Sequence, residues 1–306
     1  MSNPRRFEKH RWLRSDGKPE FSSRVYRVEG DLERLAKRTI VTISPTSPVR
    51  EAIERMNNHK VRSLLITVGN KFDGLLLAEN IIDYLGGGEL YNIAINKYEG
   101  NFYKCIEEPI ESIVSDKNIY VYTNTKISEV IEKMVNDGVS ILPVLNKDGT
   151  VYGIISEHDI VELLAEKRTG VSVGDIASQI ISINTFEPLQ EAMKKIISLG
   201  VRQIFLRNEV EQIVGAINIK GIIRYFATSE VYKWVKKGYI TEANSIPVGN
   251  LASYGILRIP DSLDVGEAAR EMVKAGFSSA LVVKDSEDFG MVTERDIFYS
   301  LAFPIK

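Results

Sequence analysis

The chain has 306 residues, of which 44% are hydrophobic and 26% are charged, and this is the composition of a globular protein. Because one apolar core stops growing near about 250–300 residues, the length predicts more than one core. The 39 Lys and Arg side chains nearly balance 41 Asp and Glu, which argues against a surface coated in positive charge for nucleic acid. The single cysteine excludes an internal disulfide framework, and no apolar run is long enough for a membrane span. We expect a soluble, cytoplasmic protein.

The charge is unevenly distributed along the chain. Residues 1–27 carry a net charge of +5, and the remaining residues carry a net charge of −7. Because chain termini are usually poorly ordered, we interpret residues 1–27 as a solvated basic tail. A tail that binds nucleic acid or another acidic partner is the alternative interpretation.

Four segments of the chain follow the same order of patterns. In each, a short β-type run leads into a segment with helical period, and a hairpin of two extended runs precedes a second helical run. The leading helices begin at positions separated by 78, 62 and 76 residues, namely Val49, Ile127, Leu189 and Val265. A glycine in each hairpin repeats with spacings of 79, 62 and 75 residues, at Gly74, Gly153, Gly215 and Gly290. The spacing predicts four β-α-β-β-α repeats.

The unequal spacing indicates that the larger repeating unit is a pair. Repeats one and three lie 140 residues apart and repeats two and four lie 138 apart, which indicates a tandem duplication. An aromatic-rich connector follows repeats one and three, and we expect amphipathic helices there. The predicted parts are the tail at 1–27, repeat one at 28–88, a connector and repeat two at 89–168, repeat three at 169–229, and a connector and repeat four at 230–306.

The candidate chemistry lies where the second strand of a hairpin meets the following helix. Repeat two reads GIISEHD at 153–159 and repeat four reads GMVTERD at 290–296, so a hydroxyl residue is followed three positions later by an aspartate. This spacing is typical of a helix-capping box. The same carboxylate can accept both hydrogen bonds from the cis-diol of a ribose. The two roles are compatible.

Repeats one and three separate these two roles. Repeat one has Leu77 and Asn80 at the two positions, whereas repeat three has Asn218, which can still cap a helix, and Gly221, which has no side chain. A carboxylate needed only for capping has no reason to occur in just one repeat of each pair. We therefore interpret Asp159 and Asp296 as ligand-binding residues.

Four β-α-β-β-α units that carry a G-h-h-[ST]-x-x-D pattern resemble CBS domains, and the resemblance covers about residues 28–303. It implies an α/β fold in which four CBS repeats pair into two Bateman modules and form a pseudo-symmetric disc. The chain is similar in this respect to the γ subunit of AMP-activated protein kinase and to stand-alone archaeal CBS-domain proteins. The resemblance implies adenine nucleotides in clefts between paired repeats, and we expect two occupied sites, one per module.

The resemblance also implies roles for individual residues. The ribose would be bound by Ser156 and Asp159 in one site and by Thr293 and Asp296 in the other. Adenine contacts, largely to backbone, would come from the strands that contain Val121, Ser140, Ile141 and Pro143, or Ile259, Ser279 and Ala280. The phosphates would be bound by basic residues after the start of the middle strand or before the motif aspartate, namely Arg62, Arg202, His158, Lys220 and Arg295.

These patterns predict a regulatory sensor that binds AMP, ADP or ATP and acts through a protein partner or self-association. The alternatives are a nucleic-acid-associated regulator that uses residues 1–27 and a protein that binds another adenosyl ligand such as S-adenosylmethionine. We do not expect an enzyme or a required cofactor. Three histidines and one cysteine give no zinc-ligand spacing and no nucleophile–base set, and the chain lacks a G-x-x-x-x-G-K-[ST] loop.

Overall fold

The computed structural model describes residues 32–114, 119–165 and 168–302. The predicted tail at 1–27 lies outside the described residues. The described part of the chain forms four three-stranded sheets, one in each predicted repeat. In every sheet the first strand runs parallel to the second, and the second runs antiparallel to the third. The predicted β-α-β-β-α order is confirmed.

The first half of the chain contains repeats one and two. A one-turn helix, α1 (Leu32–Leu35), precedes repeat one, which consists of β1 (Thr42–Ile43), α2 (Val49–His59), β2 (Ser63–Val68), β3 (Lys71–Leu77) and α3 (Ala78–Ile82). The connector contains a π-helical turn (Asp83–Gly87), α4 (Tyr91–Tyr98), α5 (Phe102–Cys105) and a 3₁₀ turn (Ile110–Ser112). Repeat two consists of β4 (Val121–Tyr122), α6 (Ile127–Asp137), β5 (Ile141–Leu145), β6 (Val151–Ser156) and α7 (Glu157–Leu164).

The second half repeats this order with shorter connector helices. A one-turn helix, α8 (Val173–Ile176), precedes repeat three, which consists of β7 (Ser182–Asn184), α9 (Leu189–Leu199), β8 (Gln203–Arg207), β9 (Ile213–Asn218) and α10 (Ile219–Ala227). The connector contains a 3₁₀ turn (Val231–Lys233), α11 (Ile240–Asn244) and a second 3₁₀ turn (Val248–Leu251). Repeat four consists of β10 (Arg258–Pro260), α12 (Val265–Ala275), β11 (Ser279–Lys284), β12 (Glu287–Thr293) and α13 (Glu294–Ala302).

The repeated glycines are explained by a close approach of backbone to the third strand of the sheet. A separate segment of chain forms a single β-bridge beside Gly153, Gly215 and Gly290. A Cβ atom on these glycines would lie 2.7, 3.0 and 3.0 Å from a carbonyl oxygen of that segment, contributed by Lys37, Ser253 and Ser178 in turn. Only glycine leaves room for this contact.

The described residues divide into two compact units that combine non-consecutive repeats. The first unit draws on Met1–Thr39, Tyr120–Ile180 and Ile256–Lys306, and so contains repeats two and four. The second unit draws on Ile40–Ile119 and Ile181–Gly255, and so contains repeats one and three. Helix α7 packs on α12 and α13 in the first unit, and α10 packs on α2 and α3 in the second. The units differ from consecutive halves of the chain because the closest helix packing joins repeats that are not adjacent in sequence.

The second unit preserves the duplication in its buried polar contacts. Tyr84 and Tyr225 occupy equivalent positions, and each buried hydroxyl donates a 2.8 Å hydrogen bond to a connector carbonyl, that of Cys105 or Ala243. Burial raises the pKa of both tyrosines, so both remain protonated donors. In the described part of the chain, no helix is long and apolar enough to cross a membrane.

Candidate functional site

The predicted hydroxyl–carboxylate pair of repeat two lies at the start of α7. Ser156 is the N-cap, and its backbone N–H and hydroxyl donate hydrogen bonds of 2.7 and 2.6 Å to Asp159 Oδ2. The Asp159 N–H points back to the serine Oγ at 3.4 Å, which completes a capping box. One carboxylate oxygen therefore serves the cap, and the other, Oδ1, accepts an ion pair of 2.6 Å from Lys37.

Lys37 belongs to the segment that bridges to β6 beside Gly153. Its backbone exchanges hydrogen bonds of 2.8 and 3.0 Å with Ile154, which fixes the lysine close to the motif. Partial burial alone would lower the pKa of Lys37, but the hydrogen bond and charge of Asp159 outweigh it and the pKa is raised. A ligand that binds Asp159 Oδ1 must therefore replace or share a lysine.

Repeat four repeats this arrangement at the start of α13. The Thr293 N–H and hydroxyl donate hydrogen bonds of 2.8 and 2.7 Å to Asp296 Oδ2, and the Asp296 N–H points back to Thr293 Oγ1 at 3.3 Å. Asp296 is fully buried. A carboxylate removed from water is costly unless ions or hydrogen bonds compensate it, so this position carries more than the exposed cap of an ordinary surface helix requires.

Repeats one and three keep the cap without the carboxylate. In repeat one the side-chain oxygen of Asn80 accepts a 2.9 Å hydrogen bond from the Leu77 N–H. In repeat three the side-chain oxygen of Asn218 accepts a 2.9 Å hydrogen bond from the Gly221 N–H. An amide is thus sufficient for capping in this chain, which strengthens the interpretation of Asp159 and Asp296 as binding residues.

The strands predicted to contact adenine lie directly beside these pairs. In repeat two, Ile141 faces Ser156 across the hairpin and the Ser140 carbonyl accepts a 2.9 Å hydrogen bond from Glu157. Pro143 faces Ile154 on the same strand, and Val121 lies in the adjacent parallel strand opposite Val144. The register therefore brings the predicted ribose and adenine residues of repeat two together.

The same register is found in repeat four. Ser279 faces Thr293 and Ala280 faces Val292, and Ile259 lies in the neighbouring parallel strand opposite Val282. The Ser279 hydroxyl is buried and has no hydrogen-bond partner among the described residues. A buried hydroxyl without a partner is unfavourable, and a ligand beside Thr293 could provide one.

The cations predicted to bind phosphate in the first unit form reciprocal ion pairs between the two motif helices. His158 Nδ1 on α7 lies 2.6 Å from Glu294 Oε1 on α13. Arg295 Nε on α13 donates a 3.1 Å hydrogen bond to Glu157 Oε1 on α7. Both glutamates are buried. The two helices are therefore joined by the residues that a phosphate would attract.

The remaining predicted cations lie in the second unit. The Arg62 carbonyl accepts a 2.8 Å hydrogen bond from Ala78 at the start of α3, and the Arg202 carbonyl accepts one of 3.0 Å from Ile219 at the start of α10. Arg202 Nε lies 3.7 Å from Glu79 Oε1, and Lys220 lines a cavity beside α10. The phosphate roles of Arg62, Arg202 and Lys220 remain predictions.

The reciprocal pair predicts a pH dependence of stability. The hydrogen bond from Glu294 raises the pKa of His158 against the opposing effect of burial, and Asp159 raises it further while Lys37 lowers it. The pair contributes its full stability below about pH 6.5, the ordinary histidine value, and the contribution is lost as the pH rises through the raised folded-state pKa. We expect the difference in Tm between the wild type and His158→Gln to shrink over that rise.

Thermal unfolding at a series of pH values measures this difference. His59→Gln is the matched control, because His59 is exposed in the second unit and its replacement leaves the His158 pair intact. A Tm difference between wild type and His158→Gln that stays constant with pH would contradict the prediction.

Sequence comparison identifies the family to which these repeats belong. A family model of the CBS domain matches residues 30–87, 110–166 and 248–302, which correspond to repeats one, two and four. The chain therefore belongs to the CBS-domain family and is a regulatory protein of that family. Repeat three has the same order of strands and helices, and it is the repeat in which glycine replaces the motif aspartate.

Similar proteins extend over nearly the whole chain. An uncharacterized 33.4 kDa protein of Thermofilum pendens is 29% identical over 86% of this chain and 88% of its own length. Protein MJ1225 of Methanocaldococcus jannaschii is 26% identical over 84% of this chain and 94% of its own length. The crystal structure of MJ1225 has the same fold, with a TM-score of 0.81 over 88% of this chain and 99% of that one, at 24% identity. The gamma-3 subunit of 5′-AMP-activated protein kinase from Bos taurus is 22% identical over 62% of this chain and 40% of its own length.

Proposed function

We propose that this chain is a sensor of adenine nucleotides, AMP, ADP or ATP, which bind to repeats two and four of the first unit. One observation carries the proposal. In each of these repeats a hydroxyl–carboxylate pair at the start of a helix lies opposite the strand predicted to contact adenine. A cation, His158 or Arg295, directly precedes the aspartate.

Each part of the motif has a separate task in this proposal. Oδ2 of Asp159 or Asp296 holds the cap, and the remaining oxygen accepts hydrogen bonds from the ribose diol. The adenine edge pairs with backbone groups of the neighbouring strands, and the Ser279 hydroxyl gains a partner in repeat four. The phosphates are attracted to His158 and Arg295, because guanidinium and imidazolium groups form charge-assisted hydrogen bonds with them. The same two cations disfavour S-adenosylmethionine, whose sulfonium carries a positive charge.

The reciprocal ion pairs suggest how occupancy is transmitted. A phosphate that draws His158 or Arg295 toward itself weakens the contact of that cation with Glu294 or Glu157 on the other motif helix. A ligand shifts an equilibrium only when it binds one state more tightly than the other, and the two states here differ in whether α7 and α13 are joined. The signal is a changed relation between repeats two and four, read by a protein partner or a second copy.

Similarity to known proteins supports this proposal. The gamma-3 subunit of 5′-AMP-activated protein kinase is a relative over 202 residues. The relative MJ1225 has itself been proposed as an archaeal homologue of γ-AMPK. The alternative of nucleic-acid binding depends on residues 1–27, which lie outside the described residues.

Native mass spectrometry and titration calorimetry of the full-length chain test the proposal. We expect two adenine nucleotides per chain, and we expect S-adenosylmethionine not to compete with them. Adenosine should bind more weakly than AMP, because it lacks the phosphate. The proposal is wrong if AMP, ADP and ATP all fail to bind at millimolar concentration, or if S-adenosylmethionine displaces them.

A further inference from the structure

A cavity of about 390 Å³ opens beside α10 in the second unit. Its volume is within the range of small-molecule sites, about 300–1,000 Å³. It is lined by residues of repeat three, by the end of α2 in repeat one, and by the segment near Ser253 that bridges to β9. The cavity belongs to the second unit only and contains none of the hydroxyl–carboxylate pairs of the first.

The charge of this cavity has one sign. Three cations line it, Lys60, Lys220 and Arg224, and none of its described lining residues is acidic. Lys220 and Arg224 lie four positions apart on α10 and so share one face of that helix. Like charges brought together repel each other, and a bound anion would relieve this repulsion.

Lys60 is unusual in its backbone as well as its charge. It ends α2 in the left-handed conformation, with a φ of 56°. The three corresponding helices α6, α9 and α12 end in the same conformation at a glycine, which is Gly138, Gly200 or Gly276. Left-handed backbone disfavours a side chain. Repeat one nevertheless carries a lysine at this position, and that lysine lines the cavity.

Gly221 determines which class of anion the cavity accepts. It stands where repeats two and four carry Asp159 and Asp296, so repeat three has no carboxylate to bind a ribose diol. A Cβ atom at Gly221 would meet only Asn218 Oδ1, at 3.6 Å, so the space is open and an anion at this point meets no negative charge. Recognition here depends on the charge of the ligand and not on a sugar.

We propose that this cavity binds a small multivalent phosphate anion through Lys60, Lys220 and Arg224, without a ribose. The site goes beyond the adenine-nucleotide sites of the first unit and uses none of their carboxylates. The anion is either a free phosphate compound or the phosphate group of a larger molecule, and both present the same oxygens to the three cations.

Titration calorimetry of the full-length chain with pyrophosphate as the probe tests the site. Lys60→Gln, Lys220→Gln and Arg224→Gln should each weaken binding by about tenfold, the effect of one charge-assisted hydrogen bond. Gly221→Asp places a carboxylate in the cavity and should weaken binding more than any of these. Gly221→Ala, which has room for its methyl group, and Lys104→Gln, which removes an exposed cation of the same unit outside the cavity, should bind pyrophosphate like the wild type.

The source of the anion is distinguished in the Asp159→Asn, Asp296→Asn double variant. If ATP still binds there and Arg224→Gln weakens it, the cavity accepts the phosphate group of a nucleotide. If pyrophosphate binds and ATP does not, the ligand is a free phosphate compound. The proposal is overturned if pyrophosphate does not bind the wild type, or if Gly221→Asp and the three cation variants leave its affinity unchanged.

Discussion

Replacing Asp159 or Asp296 by asparagine should weaken adenine-nucleotide binding at the altered site by about ten- to hundredfold. A charge-assisted hydrogen bond contributes roughly 1.5–3 kcal/mol, and each carboxylate has one oxygen beyond the one that caps the helix. The loss should be confined to one site per variant, because the two aspartates belong to separate repeats. The double variant should then lose both sites.

The repeats of this chain supply the control for that experiment. Asparagine already caps α3, where Asn80 accepts a hydrogen bond from the Leu77 N–H. Asp159→Asn and Asp296→Asn therefore keep an acceptor for the cap while they remove the charge. Alanine removes both, which costs about 1 kcal/mol of stability for the cap alone. A drop in affinity for asparagine with little change in Tm separates binding from folding.

Lys37 distinguishes the site of repeat two from that of repeat four in this experiment. Its ion pair with Asp159 is lost in any variant of that aspartate, so Lys37→Met is the additional control that keeps the carboxylate. Titration calorimetry measures the affinity and the number of sites in each variant. Unchanged affinity and stoichiometry in both Asp159→Asn and Asp296→Asn would contradict the assignment of the ribose.

The predictable part of the site is the part that is local in sequence. The serine or threonine and the aspartate three positions later are joined by one helical turn, so their spacing alone predicts the capping box that the structure confirms. The four sheets were predictable for the same reason, because each hairpin closes within one repeat. The glycine pattern also predicted an equivalent position in each repeat, although its cause, a carbonyl such as that of Lys37 pressed against Gly153, could not be read from the repeat itself.

The unpredicted part depends on contacts between distant residues. Glu157 and Glu294 precede the cations in the SEHD and TERD motifs, and the sequence offers no sign that each pairs with the cation of the other repeat. Lys37 precedes repeat one, yet it contacts the aspartate of repeat two. The grouping of repeats two and four in one unit is likewise set by helix packing, whereas chain order alone favours consecutive repeats.

Replacing Arg295 by methionine should lower the free energy of unfolding of the first unit by about 3 kcal/mol, near the lower limit for breaking a buried ion pair. The Glu157 side chain is only 3% exposed, and Arg295 is 24% exposed. The carboxylate would lose this partner without gaining water, and desolvation of an ion is costly. Replacing both residues, as Glu157→Leu with Arg295→Met, should restore most of the loss, because no buried charge remains.

The exposed pair between Arg258 and Asp288 is the matched control in the same unit. It has two hydrogen bonds of 2.9 and 3.1 Å, yet the Arg258 side chain is 43% exposed, and Arg258→Met should cost less than about 1 kcal/mol. Urea unfolding of the four variants measures these differences, provided the transition of the first unit is resolved. If Arg295→Met costs no more than Arg258→Met, the pair does not hold α7 and α13 together. Nucleotide phosphates could then draw Arg295 away without changing how repeats two and four are joined, and the proposed route of the signal would be wrong.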